Sequence, residues 1–269
     1  MTKSDSGTQG HAPGSFHGQL LGRAVSQREF VQLLEDASLE QLLELVSSRH
    51  AVHFETVRIG DDALECLQLT DMEDFIDQQL NLATVQAGID ALPLWAKIWP
   101  ASLPLAMYLR GATPEPGERI LEIGAGLGLT GLFAAKRGFS VVLSDLVPEA
   151  LLFARINALR NGLGPLAHVR YLDFTRSDHT EQYDRIIGSE ILYREVSFEP
   201  LLQFFRTALT PQPKAEILLS ASAGRRSVKF FAAAKDFFQI SRSAVSTPFT
   251  GGEPDGAAQT TYLYRLRPL

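Results

Sequence analysis

The chain has 269 residues, 45% of them hydrophobic, and a formal net charge of −6. That is material for one full α/β domain with an extension, and the apolar fraction argues against wholesale disorder. The mildly acidic balance, with no Lys/Arg run able to track a phosphate backbone, disfavours nucleic acid as the main partner. The one cysteine, Cys66, cannot form an internal disulfide. It reads as a buried small hydrophobe and fits a reducing, cytoplasmic setting. No apolar run is long enough to span a bilayer, so no membrane partner is expected.

Residues 1–25 are assigned to a disordered tail. Met1 to Gly18 is rich in Gly, Ser, Thr and His and lacks the apolar core of a signal peptide. Residues 26–91 form an N-terminal extension of helices and a hairpin. Ser26 with Glu29, and Ser38 with Gln41, have the spacing of capping boxes, which satisfy free N–H groups at a helix start. Phe30, Leu33 and Leu34, then Leu39, Leu42, Leu43 and Val46, recur at helical spacing. His53 to Leu69 predicts a β-hairpin around Gly60-Asp61-Asp62, and Asp71 to Gln86 has helical character.

Residues 92–269 carry a different texture. Leu92 to Ser102 leads into an apolar helix ending near Arg110, and short apolar strands then alternate with helices. The strands are placed at Arg119–Ile123, Ser140–Ser144, Ala167–Tyr171, Arg185–Gly188 and Glu216–Ala221. Helices fall near Leu129–Arg137, Pro148–Asn161 and Phe198–Leu209. Such alternation predicts βαβ units and a parallel sheet covered on both faces. A helix near Ser227–Phe238 follows. Strands from Gln239 and at Thr260–Leu266 are then expected as an antiparallel pair, joined through the loop from Thr247 to Ala258.

The strongest chemical signal is the run from Ile120 to Gly131, where an apolar strand enters alternating glycines, Gly124, Gly126 and Gly128, that open a helix. Glycines let backbone turn sharply and approach a ligand, and the helix start supplies free N–H groups. A dinucleotide fingerprint wants Gly or Ala at the sixth position from Gly124, which here is Leu129. The E-x-G-x-G-x-G pattern from Glu122 suits a nucleoside with an amino-acid tail. Asp145 closes the second strand and can accept hydrogen bonds from both ribose hydroxyls, or act only as a helix cap. Asp173 is placed to accept from an adenine amino group with Phe174 against the ring, the alternative being a merely solvated loop aspartate.

Together these residues resemble a class I (seven-β-strand) methyltransferase over Leu92 to Leu269. Glu122 to Gly128 matches that superfamily's first motif, Asp145 its second-strand acid and Asp173 its adenine-contacting acid. The resemblance implies a Rossmann-like α/β fold, a seven-stranded, mostly parallel sheet with an antiparallel last strand, and S-adenosylmethionine as cofactor, with S-adenosylhomocysteine as product. Pro93-Leu-Trp95-Ala-Lys-Ile-Trp99-Pro100 and Ser189-Glu190-Ile-Leu-Tyr193 further resemble methyltransferase family 16, which includes protein-lysine methyltransferases. That likeness implies that Trp99 and Ser189 join Glu122, Gly124, Gly126, Gly128, Asp145, Asp173 and Phe174 around the cofactor. It puts Glu190, where aspartate is commoner, and Tyr193 at the catalytic positions.

Methyl transfer is an in-line displacement, so alignment and exclusion of water supply most of the acceleration and no metal is needed. The six histidines show no ligand spacing. Only a neutral amine attacks, so Glu190 is expected to orient the acceptor nitrogen while Tyr193 and Trp99 shape its channel. The bland alternatives are a Glu190 bonded only to loop backbone, a core Tyr193 and a Trp99 anchoring the preceding helix; Trp95 is expected to pack rather than touch a ligand. The expected function is methylation of a protein lysine. The alternatives are small-molecule N- or O-methylation, a non-catalytic cofactor-binding module, and a dehydrogenase, the last disfavoured by Leu129. No pattern specifies an oligomeric state.

Overall fold

The computed structural model describes residues 18–72, 75, 93–176, 179–223, 227–247 and 259–269. Most of the expected helix over Asp71–Gln86, and most of the loop from Thr247 to Ala258, lie outside the described residues.

A seven-stranded sheet forms the centre. Its strands are β5 (Arg119–Ile123), β6 (Ser140–Asp145), β7 (Ala167–Tyr171), β8 (Arg185–Ser189), β9 (Glu216–Ser222), β10 (Phe238–Thr247) and β11 (Gln259–Pro268), in the order β10-β11-β9-β8-β5-β6-β7. Strands β5 to β9 pair in parallel. The final strand, β11, inserts between β9 and β10 and runs antiparallel to both. The parallel strands read as near-continuous apolar runs because helices cover both faces: Ile120, Leu121, Val141, Leu143, Ile186, Ile187 and Ile217 are fully buried.

The covering helices are α3 (Ser102–Arg110), α4 (Leu129–Lys136), α5 (Pro148–Arg160), α6 (Phe198–Ala208) and α7 (Val228–Ala234). Helix α4 is enclosed nearly all round, every residue from Leu129 to Ala135 being buried. Helix α6 instead has one apolar stripe, Phe198, Leu201, Leu202, Phe205 and Ala208, facing the sheet. From β5 the chain builds β6 and β7 to one side, then crosses to build β8 and β9 on the other. The crevice beyond the carboxyl ends of β5, β6 and β8 therefore lies at the topological switch point, where open α/β sheets bind ligands.

The extension begins earlier than composition suggested. Residues 18–25, expected in the disordered tail, form a small antiparallel hairpin of β1 (Gly18–Leu20) and β2 (Arg23–Val25). Burial of Leu20 and Leu21, and donation by the Leu21 N–H to Glu149 Oε1 at 3.0 Å, hold it on α5. The helices α1 (Gln27–Asp36) and α2 (Leu39–Ser47) start in the two capping boxes expected, on Ser26 and Ser38. Strands β3 (Val52–Ile59) and β4 (Asp62–Leu69) form a separate hairpin turning at Gly60-Asp61, with Asp62 already in the strand. Phe30, Leu34, Leu42, Val46, Leu67 and Leu69 share one apolar cluster with Leu151, Leu152, Phe153 and Ile156 of α5, so the extension and α5 bury a common core. Among the described residues, no helix is long and apolar enough to cross a membrane.

Candidate active site

The crevice at the switch point is a cleft of about 270 Å³, lined by Trp99, Glu122, Gly124, Gly126, Asp145, Ser189, Glu190 and Tyr193 among others. These eight sequence-predicted residues come from four chain segments, and the sheet brings them together at its carboxyl edge. Gly128, Asp173 and Phe174 do not line the cleft. Gly128 caps α4 behind the loop, facing Leu143 and Ala154. Asp173 turns back on its own chain: Oδ1 accepts the Thr175 N–H at 3.0 Å and the Thr175 hydroxyl at 2.6 Å. A short polar side chain readily closes such a local turn. Phe174 packs on Phe204 of α6, with ring centroids 6.5 Å apart.

The floor is the glycine loop between β5 and α4. Gly126 has φ +53°, and a Cβ there would stand 2.9 Å from the Trp95 carbonyl oxygen, so only glycine lets the preceding segment cross so closely. The Gly126 N–H donates to Asp145 Oδ2 at 2.9 Å, and the Val147 N–H donates to Oδ1 at 3.0 Å. Burial raises the Asp145 pKa, with the backbone donors opposing that shift. Glu122 is more deeply enclosed and its Oε2 accepts the Gly131 N–H at 2.8 Å. Burial pushes its pKa up to about 8, against the lowering effect of that hydrogen bond. Gly131 has no room for a side chain, since a Cβ would lie 2.3 Å from Leu143 Cδ2 and 2.6 Å from Glu122 Oε2.

One wall is the segment before α3. A 3₁₀ turn at Leu94–Ala96 starts it, and the Trp99 indole N–H donates back to the Leu94 carbonyl at 2.8 Å, closing the turn. Trp99 thus both lines the cleft and anchors its own segment. Trp95 also borders the cleft, while its ring meets Phe153 and Phe75 edge to face, the packing role expected of it. Lys97 lies at the mouth, its Nζ 5.7 Å from the Trp99 ring centroid.

The opposite wall follows β8. Glu190 is buried at 6% exposure yet has φ +56°, a left-handed conformation that costs a non-glycine residue about 1–3 kcal/mol. Strand β9 holds it there. The Glu190 N–H donates to the Ser220 carbonyl at 2.8 Å, and Oε1 accepts both the N–H (2.7 Å) and the hydroxyl of Ser222. Ser189 Oγ accepts from Ser220 Oγ at 3.0 Å. Tyr193 is 47% exposed at the mouth rather than in the core, near Leu146 at 53%. Sequence reasoning assigned no role to Lys97, Leu146, Arg194 or Ser222. Lys97 stands inside the Trp95–Trp99 motif and Leu146 directly after Asp145, so local signals existed for those two. None marked Ser222.

A mostly parallel sheet with one reversed final strand, a glycine loop and a second-strand acid at the switch point define a Rossmann-like class I methyltransferase. A solved S-adenosylmethionine-dependent methyltransferase from Agrobacterium tumefaciens shares the fold, with TM-score 0.54 and 18% identity over 80% of this chain and 70% of that one. Residues 77–239 match the lysine methyltransferase family, and the chain belongs to that family. It is 31% identical to protein N-lysine methyltransferase METTL21A of Xenopus tropicalis over 63% of this chain and 83% of that protein. It is likewise 31% identical to histone-arginine methyltransferase METTL23 of Homo sapiens, over 45% of this chain and 66% of that protein. Several other curated lysine methyltransferases match over about half of their own length.

Proposed function

We propose that this enzyme methylates a lysine side chain of a protein substrate, using S-adenosylmethionine. The observation that carries the reading is the opposition, across one cleft, of the Gly124–Gly126 loop with Asp145 and the Glu190–Tyr193 segment. The residues present fit the cofactor. Gly124, Ala125 and Gly126 present the loop along the cleft with no bulky side chain, and the Asp145 carboxylate at the end of β6 suits a pair of ribose hydroxyls. Bound there, S-adenosylmethionine supplies an electrophilic methyl group on a sulfonium.

The chain's own residues then orient and desolvate. Glu190 accepts a hydrogen bond from the acceptor amine and directs its lone pair, while Trp99 and Tyr193 exclude water along the channel. A lysine ammonium would first lose one proton to solvent; the neutral amine would then take the methyl group and become a methylated ammonium, the cofactor leaving as the neutral thioether. The exposed mouth, with Tyr193 and Leu146 on show, suits an approaching protein surface better than an engulfed small molecule. The buried lone cysteine is consistent with work in a reducing cytoplasm.

The test is transfer of a labelled methyl group into a lysate lacking the gene. Label in one discrete, protease-sensitive band, mapped to lysine by mass spectrometry, supports the reading. Label on arginine favours the second reading, which the METTL23 likeness motivates. Label confined to small molecules overturns both.

A further inference from the structure

Asn157 lies in the last turn of α5, fully buried, and its amide bridges β4 and the glycine loop, whose Leu67 and Leu127 also share an apolar cluster. Oδ1 accepts the N–H of Leu67 in β4 at 2.7 Å. Nδ2 donates to the carbonyl of Leu127 at 2.9 Å. The amide orientation is chemically forced, because one neighbour is a donor and the other an acceptor. Leu127 sits between Gly126 and Gly128 and lines the cleft. Two side chains therefore grip the loop, Asp145 at the Gly126 N–H and Asn157 at the Leu127 carbonyl, beside the Ala125 N–H bond to the Ser144 carbonyl.

A second asparagine repeats the contact with the hairpin and does not reach the glycine loop; its Nδ2 also donates to the Asn157 carbonyl at 2.7 Å. Asn161, the residue capping the C-terminus of α5 four positions later, accepts the Glu65 N–H at 2.9 Å and donates to the Glu65 carbonyl at 2.8 Å. The pair clamps β4 at two alternate residues, and only Asn157 also reaches the glycine loop. A buried carbonyl that loses its donor carries the full desolvation penalty, so the Leu127 contact sets which loop geometry is stable.

We propose that Asn157 is a positioning residue for the cofactor loop, and that through it the β3–β4 hairpin and cofactor binding are thermodynamically coupled. The inference rests on the proposed cofactor reading. Coupling is reciprocal: an ordered hairpin favours the binding-competent loop, and an occupied cleft protects the hairpin.

The test uses the full chain and S-adenosylhomocysteine titrated by calorimetry. Asn157→Ala should weaken binding about tenfold and raise the cofactor KM, with kcat at saturation held within about twofold. A merely structural role would instead reduce the active fraction, lowering kcat with Kd unchanged. Asn161→Ala, which spares the Leu127 contact, should lower Tm while changing Kd by less than about twofold. Should Asn157→Ala not fold, hydrogen exchange on the wild-type chain decides the matter. S-adenosylhomocysteine should slow exchange of the Leu67 amide more than that of amides in the β10–β11 pair. Equal Kd in a folded Asn157→Ala variant, or no selective protection at Leu67, overturns the proposal. Absence of binding to the wild-type chain overturns the cofactor reading and the proposal with it.

Discussion

Glu190 accepts the Ser222 N–H at 2.7 Å and the Ser222 hydroxyl as well, so a carboxylate at the end of β8 is fixed by the end of β9. The two residues are 32 positions apart, and the contact holds Glu190 in its left-handed conformation. Two variants separate holding from chemistry. Glu190→Ala should abolish methyl transfer while leaving the cofactor Kd within about twofold, because the glycine loop is untouched. Ser222→Ala removes the hydroxyl and keeps the N–H. It should lower kcat about tenfold, with rescue by Ser222→Thr. Full activity in Glu190→Ala would remove this acid from the acceptor site.

Glu122 makes folding stability depend on pH in a definite sense. Its folded pKa, raised to about 8, lies above the ordinary carboxylate value of 4.5, so the native state holds the proton more tightly than the unfolded chain. Its contribution is complete below about pH 4.5 and is lost as pH rises towards 8. Asp145, shifted in the same direction by burial, adds to the trend. Urea midpoints should therefore fall between pH 5 and pH 8, and the slope should be shallower in Glu122→Gln. An identical slope in that variant would show that other groups dominate.

Gly131 should not tolerate a methyl group. A Cβ would meet Leu143 Cδ2 at 2.3 Å and Glu122 Oε2 at 2.6 Å, the ends of two buried side chains. Gly131→Ala is expected to cost about 1–3 kcal/mol from overpacking, and more if the Glu122 hydrogen bond breaks. Chemical denaturation measures this directly. A change under about 0.5 kcal/mol would mean that α4 shifts freely against the sheet.

Cys66 should be unreactive in the folded protein. It is fully buried in β4, and burial pushes its thiol pKa up to about 12. A thiol reagent at pH 8 should label it only as fast as the chain opens, with complete labelling in denaturant. Rapid labelling of the native protein would show that the hairpin opens on its own, which would also bear on the coupling through Asn157.

Local chemistry determined a large part of this protein. Capping boxes at Ser26 and Ser38, the apolar runs of β5 and β6 and the glycine loop from Gly124 depend on residues within a few positions of one another, so spacing alone revealed them. The acid at Asp145 was legible for the same reason, whereas the Glu190–Tyr193 motif was read through its resemblance to methyltransferase family 16. Tertiary structure decided what meets what. The hairpin at residues 18–25 exists because α5 offers Glu149 and an apolar face to it, which tail composition could not convey. Asp173 and Phe174 were drawn away from the cleft by a local turn and by Phe204. Ser222 and Asn157 reach their partners across 32 and 90 residues of chain. Such contacts follow from strand order and helix packing, which place groups distant in sequence within hydrogen-bonding reach and leave no periodic trace in the sequence.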